Sequence, residues 1–309
     1  MRFEGIHHIS AITGDARRNV DFYTRVLGLR LTAKSVNQDD PRVYHLFYGD
    51  EEARPGADLT FFEYPHAIPG RAGAGMVHRI VHRAGSLGFW AERLEDEGVP
   101  FDLDGGSLRF SDPEGLDHEL VEDTSGDEPL VAFHPEIPAD AAIRGFEGVR
   151  AYSHDPEASA ALLEGLMGAR RDAADRFVLR GEQRGGWIAF DPAPAERGRQ
   201  SAGTVHHVAW GTWDRDLGEW IKLVGDAGLP NSGYVDRHYF HSLYFREPGG
   251  VLYELATAEP GFLVDGLDVS ELGTKIILPP FLEDRREQIE RRLTPLPDPR
   301  ADWALTAPR

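Results

Sequence analysis

Two histidine pairs are the residues of this chain whose type and spacing first suggest metal chemistry. The pairs are His7–His8 in the segment GIHHISAIT and His206–His207 in the segment GTVHHVAWGT. Both segments alternate apolar positions in the manner of a β-strand. Side chains on a strand alternate between faces, so we expect the two members of each pair to point in opposite directions. Because imidazole is a common metal ligand, one member of each pair is a candidate ligand.

The two histidine segments open two of four copies of one sequence pattern. Each copy starts with a strand-like segment, continues into a helix with apolar residues at helical spacing, and ends in further strand-like runs. In the first copy, Asp15 is the expected N-cap of the helix and Gly28 its end. The pattern predicts an α+β fold of four βαβββ modules. We number them modules 1 to 4; they open at GIHHISAIT, MVHRIVHRAG, FEGVRAYSHD and GTVHHVAWGT.

The modules fall into two pairs, joined by a proline- and acid-rich connection around Asp123–Ala142. We therefore predict two tandem domains, one at 1–130 with modules 1 and 2 and one at 143–260 with modules 3 and 4. A C-terminal extension follows at 261–309. It contains LPPFLEDRREQIERRL, which is typical of a turn followed by a short charged helix. We expect the extension to pack against the modules rather than to form a site.

Comparison of the modules at matching positions selects three metal ligands. In the opening strand, modules 1 to 4 carry His8, Arg79, Arg150 and His207. Four positions after the turn glycine of the last strand, modules 1, 2 and 4 carry Thr60, Glu119 and Glu254, and module 3 has no acid. His8, His207 and Glu254 make a 2-His-1-carboxylate set, which binds Fe(II) or a similar ion and leaves positions open for other ligands. We predict these three as ligands of Fe(II), with Mn(II) as the alternative, and expect Glu119 to pair with Arg79.

The composition excludes several classes of function. The chain of 309 residues has no cysteine, which removes disulfides, thiolate catalysis and cysteine-ligated metals. Its formal net charge of −19 argues against nucleic acid or an anionic membrane as a partner. No apolar run approaches the ~20 residues that cross a bilayer. We expect a cytoplasmic protein with a small-molecule partner; its oligomeric state stays open, with a homo-oligomer among the alternatives.

The four repeats and their ligand positions resemble the vicinal oxygen chelate superfamily, which includes glyoxalase I, extradiol dioxygenases and bleomycin-resistance proteins. Within it, the chain is similar to the hydroquinone ring-cleaving group in the segments GIHHIS, DFYTRVLGLRL, LTFFEYP, DRHYFHSLYF and LPPFLEDRR. The resemblance implies modules that curl into a cup around a divalent metal. It also implies that modules 1 and 4 pack together, because they supply the ligands. The implied activity is insertion of O2 into a hydroquinone, with cleavage of the C–C bond next to a hydroxyl-bearing carbon.

The resemblance further implies roles for residues around the ligands. Arg237 and Tyr244 stand where the group has residues that surround the metal ligands, and Ser10 stands where the group has a threonine. The candidate catalytic residues are Tyr244, Arg237, His206 and His7. The candidate substrate-binding residues are Ser10, His238 and His241. The aromatic side chains that would line a cup for a flat ring are Phe61, Phe62, Trp210, Tyr239 and Phe240.

Three other functions stay open at this point. A glyoxalase-like lyase or isomerase would use Zn or Ni with four protein ligands, where module 1 offers only Thr60. A catechol extradiol dioxygenase would take all its ligands from modules 3 and 4, where module 3 offers Arg150. A metal-free binding protein of the drug-sequestering kind would not need His8, His207 and Glu254 together.

Overall fold

Each of the four modules folds as a strand, a helix and three further strands in a computed structural model, which describes residues 1–301 and 303. Module 1 comprises β1 (Ile6–Thr13), α1 (Ala16–Asp21, continued by a π-helical turn at Phe22–Val26), β2 (Arg30–Val36), β3 (Tyr44–Gly49) and β4 (Asp58–Glu63). Module 2 comprises β5 (Met76–Ala84), α2 (Leu87–Asp96), β6 (Phe101–Asp104), β7 (Ser107–Ser111) and β8 (Asp117–Glu122).

Modules 3 and 4 repeat this order. Module 3 comprises β9 (Ile143–Ser153), α3 (Pro156–Ala160, continued by a π-helical turn at Ala161–Leu166), β10 (Arg170–Ala173), β11 (Arg176–Arg180) and β12 (Gly185–Pro192). Module 4 comprises β13 (Thr204–Thr212), α4 (Asp214–Asp226), β14 (Val235–Asp236), β15 (Phe240–Arg246) and β16 (Leu252–Pro260). The predicted α+β class is confirmed. The strands β6, β10 and β14 lack a marked sequence pattern because they are short, polar and largely exposed edge strands.

The modules pair crosswise in two sheets of eight strands. One sheet has the order β14-β15-β16-β13-β1-β4-β3-β2 and joins module 4 to module 1. The other has the order β10-β11-β12-β9-β5-β8-β7-β6 and joins module 3 to module 2. In each sheet the opening strands of the two modules lie side by side and antiparallel. The predicted packing of module 1 against module 4 is therefore confirmed.

The pairing of β1 with β13 contains two register shifts, and both fall at a histidine pair. Ile6 faces Trp210, whereas His8 already faces Ala209, so His7 is an extra residue on β1. Ser10 faces His207, whereas Ala11 faces Val205, so one residue is extra on β13 as well. Such shifts mark β-bulges, which bend a strand locally and redirect its side chains.

The C-terminal extension packs along the edge strand β2 of the first sheet. The backbone N–H of Ile277 donates to the carbonyl of Lys34 at 2.9 Å, and the Lys34 ammonium donates to the carbonyls of Thr274 and Leu296. The extension holds 3₁₀ turns at Val269–Glu271 and Pro280–Arg285 and the helix α5 at Arg286–Glu290. The extension thus contains a turn followed by a short helix, as the sequence predicts, and it contacts module 1. Its apolar side chains in the main core are Leu278, Leu282, Ile289 and Leu293.

We propose that the sequence is divided into two domains, 1–130 and 143–260, and an extension, 261–309. Each of the two sheets contains strands from both domains. Residues 302 and 304–309 of the extension lie outside the described residues. Among the helices of the described residues, none combines the length and apolar character needed to cross a bilayer.

A buried polar chain connects modules 1 and 2. The hydroxyl of Tyr23 donates to Oδ2 of Asp112 at 3.0 Å and lies 2.9 Å from Nε2 of His118. Nδ1 of His118 lies 3.0 Å from Nε2 of His82. All four side chains are buried. Burial lowers the pKa of His82 to about 3 and holds the pKa of His118 well below its usual range. Both histidines are therefore neutral in the folded protein.

We expect acid to destabilise the protein through His82. Its pKa is lower in the folded state than in the unfolded state, so only the unfolded chain takes up its proton as the pH falls below ~6.5. This one group should cost up to about 1.4 kcal/mol for each pH unit below ~6. Thermal unfolding midpoints of the wild type and His82→Gln, measured from pH 7.5 to 4.5, test this. The two midpoints should converge on acidification; parallel curves would contradict the prediction.

Candidate metal centre

Three buried side chains from three neighbouring strands converge on one point. His8 comes from β1, His207 from β13 and Glu254 from β16. Nε2 of His8 lies 3.1 Å from Nε2 of His207, and Oε2 of Glu254 lies 3.0 Å from the first and 2.9 Å from the second. Among the described residues, these three form the group of histidine, aspartate and glutamate side chains that could hold a metal ion.

The donor atoms fit a divalent metal. Oε2 of Glu254 is buried and accepts no hydrogen bond, although two imidazole nitrogens lie about 3 Å away. A buried oxygen without a partner is costly, and one cation between the three atoms would satisfy all their lone pairs. Ligand atoms about 2.1 Å from one ion and at right angles to each other would lie about 3.0 Å apart. The observed separations match that spacing, which is typical of a facial set of ligands.

The second oxygen of Glu254 is held by Ser242. Its hydroxyl donates to Oε1 of Glu254 at 2.5 Å. Burial raises the pKa of Glu254, but the neighbouring His8 and His207 outweigh burial and bring this pKa well below its usual range. The carboxylate is therefore ionised and oriented for a cation. Ser242 was not among the predicted residues; its signal was its place two residues before Tyr244, on the same face of β15.

The first residue of each histidine pair orients the second. Nε2 of His7 lies 3.1 Å from the carbonyl oxygen of Thr257, which can only accept, so this nitrogen carries the proton. Burial, together with His8, lowers the pKa of His7 to about 3, so the ring is neutral. Nδ1 of His7 then accepts from Nδ1 of His8, 3.0 Å away. Nε2 of His8 is left with its lone pair at the convergence point, as a metal ligand requires.

His206 stands in the same relation to His207, with 2.8 Å between the two Nδ1 atoms. Burial and His207 lower the pKa of His206 to about 3. The expectation that the members of each pair point in opposite directions holds for His7 and His8, which face opposite sides of β1, but not for His206 and His207, which line the same cavity. The β-bulges at the two pairs break the alternation and let the neighbouring rings meet edge to edge.

A cavity of about 280 Å³ opens beside the three ligands. Four predicted residues besides the ligands line it: Ser10, His206, Arg237 and Tyr244. The aromatic side chains Phe62, Tyr239 and Phe240 line it as predicted. Phe61 and Trp210 do not, because they point into the core, where Phe61 packs on Tyr23 and Trp210 packs on Tyr253. The cavity thus combines aromatic side chains with polar ones, which include Asn37, Gln38 and Asp39 of the loop between β2 and β3.

Comparison with known proteins places this arrangement in a family. Residues 5–120 match the family model described as the glyoxalase/bleomycin resistance protein/dioxygenase superfamily. The chain is 40% identical to MhqA of Bacillus subtilis, named as a ring-cleaving dioxygenase, across 96% of this chain and 100% of the relative. It is 32% identical to the chlorohydroquinone/hydroquinone 1,2-dioxygenase of Sphingobium indicum, across 94% of this chain and 96% of the relative. The chain belongs to this superfamily.

Solved structures agree with this assignment to the superfamily. The crystal structure of a Bacillus subtilis protein described as a dioxygenase superposes with a TM-score of 0.89 and 39% sequence identity, across 96% of this chain and 98% of that chain. Glyoxalase I from Zea mays has a TM-score of 0.58 at 17% identity, across 82% of this chain and 92% of that chain. The second likeness concerns the fold alone.

In this superfamily member, Arg237 links Tyr244 to the loop between β2 and β3. Nε of Arg237 donates to the Tyr244 hydroxyl at 3.3 Å, and an Arg237 Nη atom donates to Asp39 at 3.1 Å. Gln38 donates to the Arg237 carbonyl at 2.7 Å. Burial and the charge of Glu254 raise the pKa of Tyr244, so its hydroxyl keeps its proton. Because that hydroxyl accepts from Arg237, its own proton can be donated to another acceptor.

Ser10 belongs to a hydrogen-bonded group on the other side of the ligands. Its hydroxyl lies 2.7 Å from that of Thr60, which in turn lies 3.0 Å from Nε2 of His45. His45 lines the cavity between the rings of Phe47 and Phe62, with centroids 4.0 and 4.2 Å away. His45 was not among the residues predicted from the sequence. The available signal was its place on β3 opposite Phe62 and two residues before Phe47.

Three predicted residues lie away from the cavity. His7 is turned to the opposite side of β1, with both ring nitrogens occupied. His241 faces away from Glu254 because the cavity-facing residues of β15 are the even-numbered ones, and its Nδ1 contacts Asp214 at 2.6 Å. His238 lies in a turn with a positive φ of 67° and contacts Asp265 at 2.9 Å. The placement gives no support to substrate binding by His238 and His241 or to proton transfer by His7.

The corresponding place in modules 2 and 3 is filled by ion pairs. Arg79 donates to Glu119 at 3.3 Å, which confirms the predicted pairing. Arg150 makes two hydrogen bonds to Asp191, at 2.7 and 2.6 Å. Guanidinium groups thus occupy the space where modules 1 and 4 present imidazoles.

Proposed function

We propose that this protein is an Fe(II)-dependent dioxygenase that cleaves the ring of hydroquinones, with Mn(II) as the alternative metal. The observation that carries the proposal is a set of three ligands whose open side faces an aromatic cavity. The names of the relatives, which include a hydroquinone dioxygenase, support the substrate class. The reaction adds both atoms of O2 and breaks the bond between a hydroxyl-bearing carbon and its neighbour. The first carbon becomes a carboxylic acid and the second an aldehyde.

His8, His207 and Glu254 would hold the metal. When bound, the metal lowers the pKa of a coordinated hydroxyl and allows electron density to pass between the aromatic ring and O2. The protein supplies orientation: His7 and His206 fix the two imidazoles, and Ser242 fixes the carboxylate. Such supporting hydrogen bonds set the geometry and basicity of ligands.

Tyr244 is the group best placed to act on the substrate hydroxyl. Its ring lies beside His207, with centroids 5.9 Å apart, and its hydroxyl receives a hydrogen bond from Arg237. It can therefore donate a hydrogen bond to a hydroxyl that is losing its own proton. His7 and His206 are poorer candidates for the base, because each uses the lone pair of its Nδ1 to hold a ligand histidine.

Two alternatives fit the site less well. A glyoxalase-like enzyme would need a fourth protein ligand from module 1. Thr60 stands there, and its hydroxyl is engaged with Ser10 and His45. A catechol enzyme would need a ligand from module 3, where Arg150 is paired with Asp191. The cytoplasmic location expected from the sequence remains a prediction.

We expect faster oxygen uptake with hydroquinone than with catechol. Catechol can bind a metal through two adjacent oxygens, whereas hydroquinone offers one oxygen and places the other across the ring. The side chains of this cavity would have to hold that distal hydroxyl. An oxygen electrode measures both rates on anaerobically purified protein loaded with Fe(II) and, in parallel, with Mn(II). Catechol turnover equal to or faster than hydroquinone turnover would refute the substrate class and leave the metal centre standing.

A further inference from the structure

A second cavity, of about 500 Å³, lies on the other side of β1 from the metal centre. Its lining shares no residue with that of the first cavity. His7 is in its wall, whereas the adjacent His8 is in the wall of the first cavity. The rest of the wall combines apolar side chains with charged ones. The apolar part consists of Pro55, Leu130, Trp213 and Ala258.

Arg184, in the wall of this cavity, is a buried arginine without an ion pair. It is 9% exposed. One of its terminal nitrogens donates to the backbone carbonyl of Glu128, and the other, Nη1, has no hydrogen-bond partner. Within residues 1–301 and 303, no carboxylate forms a salt bridge with it. Burial and the positive charge of Arg83 lower the pKa of Arg184. A buried arginine without a salt bridge is rare in proteins, because no nearby carboxylate offsets the free-energy cost of removing its charge from water.

The carboxylates near Arg184 are committed elsewhere. Asp127 accepts from Arg83 and Arg180 through both oxygens. The Glu4 carboxylate accepts from three successive backbone N–H groups at 182–184. The Glu128 side chain accepts from Arg54 at 2.8 Å. Among the described residues, none of these carboxylates forms a hydrogen bond with Arg184, and the negative charges of Asp127 and Asp50 offset its burial only in part, because its pKa remains lowered.

The backbone makes room for Arg184 at this place. Gly56 has a positive φ of 104°, and a Cβ there would come within 2.7 Å of Cδ and 2.9 Å of Nε of Arg184. Only glycine adopts this conformation easily and leaves the space for the arginine stem. A larger residue at position 56 would displace the stem of Arg184, which lies in the same cavity wall as the apolar side chains.

We propose that the second cavity binds a small organic monocarboxylate, whose charge pairs with Arg184 and whose apolar body lies against Leu130 and Trp213. The negative charges of Glu4 and Glu128 in the wall favour a ligand with a single charge. His7 lies in the same wall and forms a hydrogen bond with His8, which would bind the metal. A molecule in this cavity would therefore contact a residue that orients a metal ligand. The bound carboxylate would therefore reach His7 without entering the first cavity, where the substrate would bind.

Benzoate is the probe for this site, with titration calorimetry on the full-length protein loaded with metal. We expect saturable binding that weakens about 10- to 100-fold in Arg184→Gln, the range for losing a hydrogen bond to a charged group. Benzamide, which has the same shape without the charge, should bind weakly to the wild type. Arg237→Gln is the matched control, since it removes an arginine from the other cavity; benzoate affinity should stay within about 3-fold.

A second variant keeps the test valid if Arg184→Gln does not fold. Gln183 is exposed and lines the cavity, so Gln183→Trp should fill the cavity without disturbing the core and should abolish benzoate binding. The proposal is overturned if benzoate does not bind the wild type at millimolar concentration. It is also overturned if binding survives in Arg184→Gln or Gln183→Trp, or if binding depends on Arg237 or on the metal.

Discussion

Replacing His8, His207 or Glu254 by alanine is expected to remove bound metal and ring cleavage while the protein still folds. Each residue supplies one of the three converging atoms, and the remaining pair holds a metal through two contacts only. The affinity should fall by more than the ~10- to 100-fold that follows loss of a mere supporting residue. The fold should survive because modules 2 and 3 form the same strands with Arg79 and Arg150 at the histidine position.

Metal content by elemental analysis, thermal unfolding and oxygen uptake measure this result. Glu119→Gln is the matched control, because Glu119 occupies the position of Glu254 in module 2 and is paired with Arg79. That variant should keep its metal. If an alanine variant retained full metal occupancy and turnover, its residue would be removed from the ligand set. Loss of metal in Glu119→Gln would move the centre to the other sheet.

Replacing Tyr244 by phenylalanine is expected to lower kcat on hydroquinone by about 10- to 1000-fold, the range for a positioned hydrogen-bonding or proton-transfer group. The ring and its packing beside His207 would be kept, and only the hydroxyl that accepts from Arg237 would be lost. Bound metal should stay unchanged, because Tyr244 contributes no ligand atom. Steady-state oxygen-electrode kinetics and metal analysis on the same preparation separate the two effects.

Tyr253→Phe is the matched control for the loss of a buried tyrosine hydroxyl. Tyr253 lies on the neighbouring strand β16, its hydroxyl has no hydrogen-bond partner, and its ring packs on Trp210 and Phe245 in the core. This variant should keep the wild-type kcat. A Tyr244→Phe enzyme with wild-type kcat would remove Tyr244 from the mechanism.

The sequence was sufficient to predict that His8, His207 and Glu254 converge and that module 1 packs against module 4, because the chain repeats itself. Four modules offer four versions of each position, and His8, His207 and Glu254 are distinguished by the arginines that replace histidine elsewhere. Only packing of module 1 against module 4 could unite them. These predictions depend on the repetition of the βαβββ module along the chain, which a β-bulge in one strand does not change.

The surroundings of the ligands were harder to predict because they depend on local departures from that pattern. The bulges at His7 and His206 break the alternation, so the rings in each pair meet although strict alternation separates them. His241 was expected near the substrate from its neighbourhood in sequence, but it has the wrong parity on β15. His45 was missed because a single histidine among strand aromatics carries no mark of its role.

The crosswise pairing also sets the order in which the protein can be completed during synthesis. The ligands His8 and His207 are separated by 199 positions, and β1 pairs with β13. When the ribosome has made modules 1 to 3, the second sheet has all its strands, but β1 still has an open edge. Such an edge can pair wrongly with other chains. The three candidate ligands can therefore converge only after module 4 has been made, and a chain released earlier would lack His207 and Glu254 and expose the edge of β1.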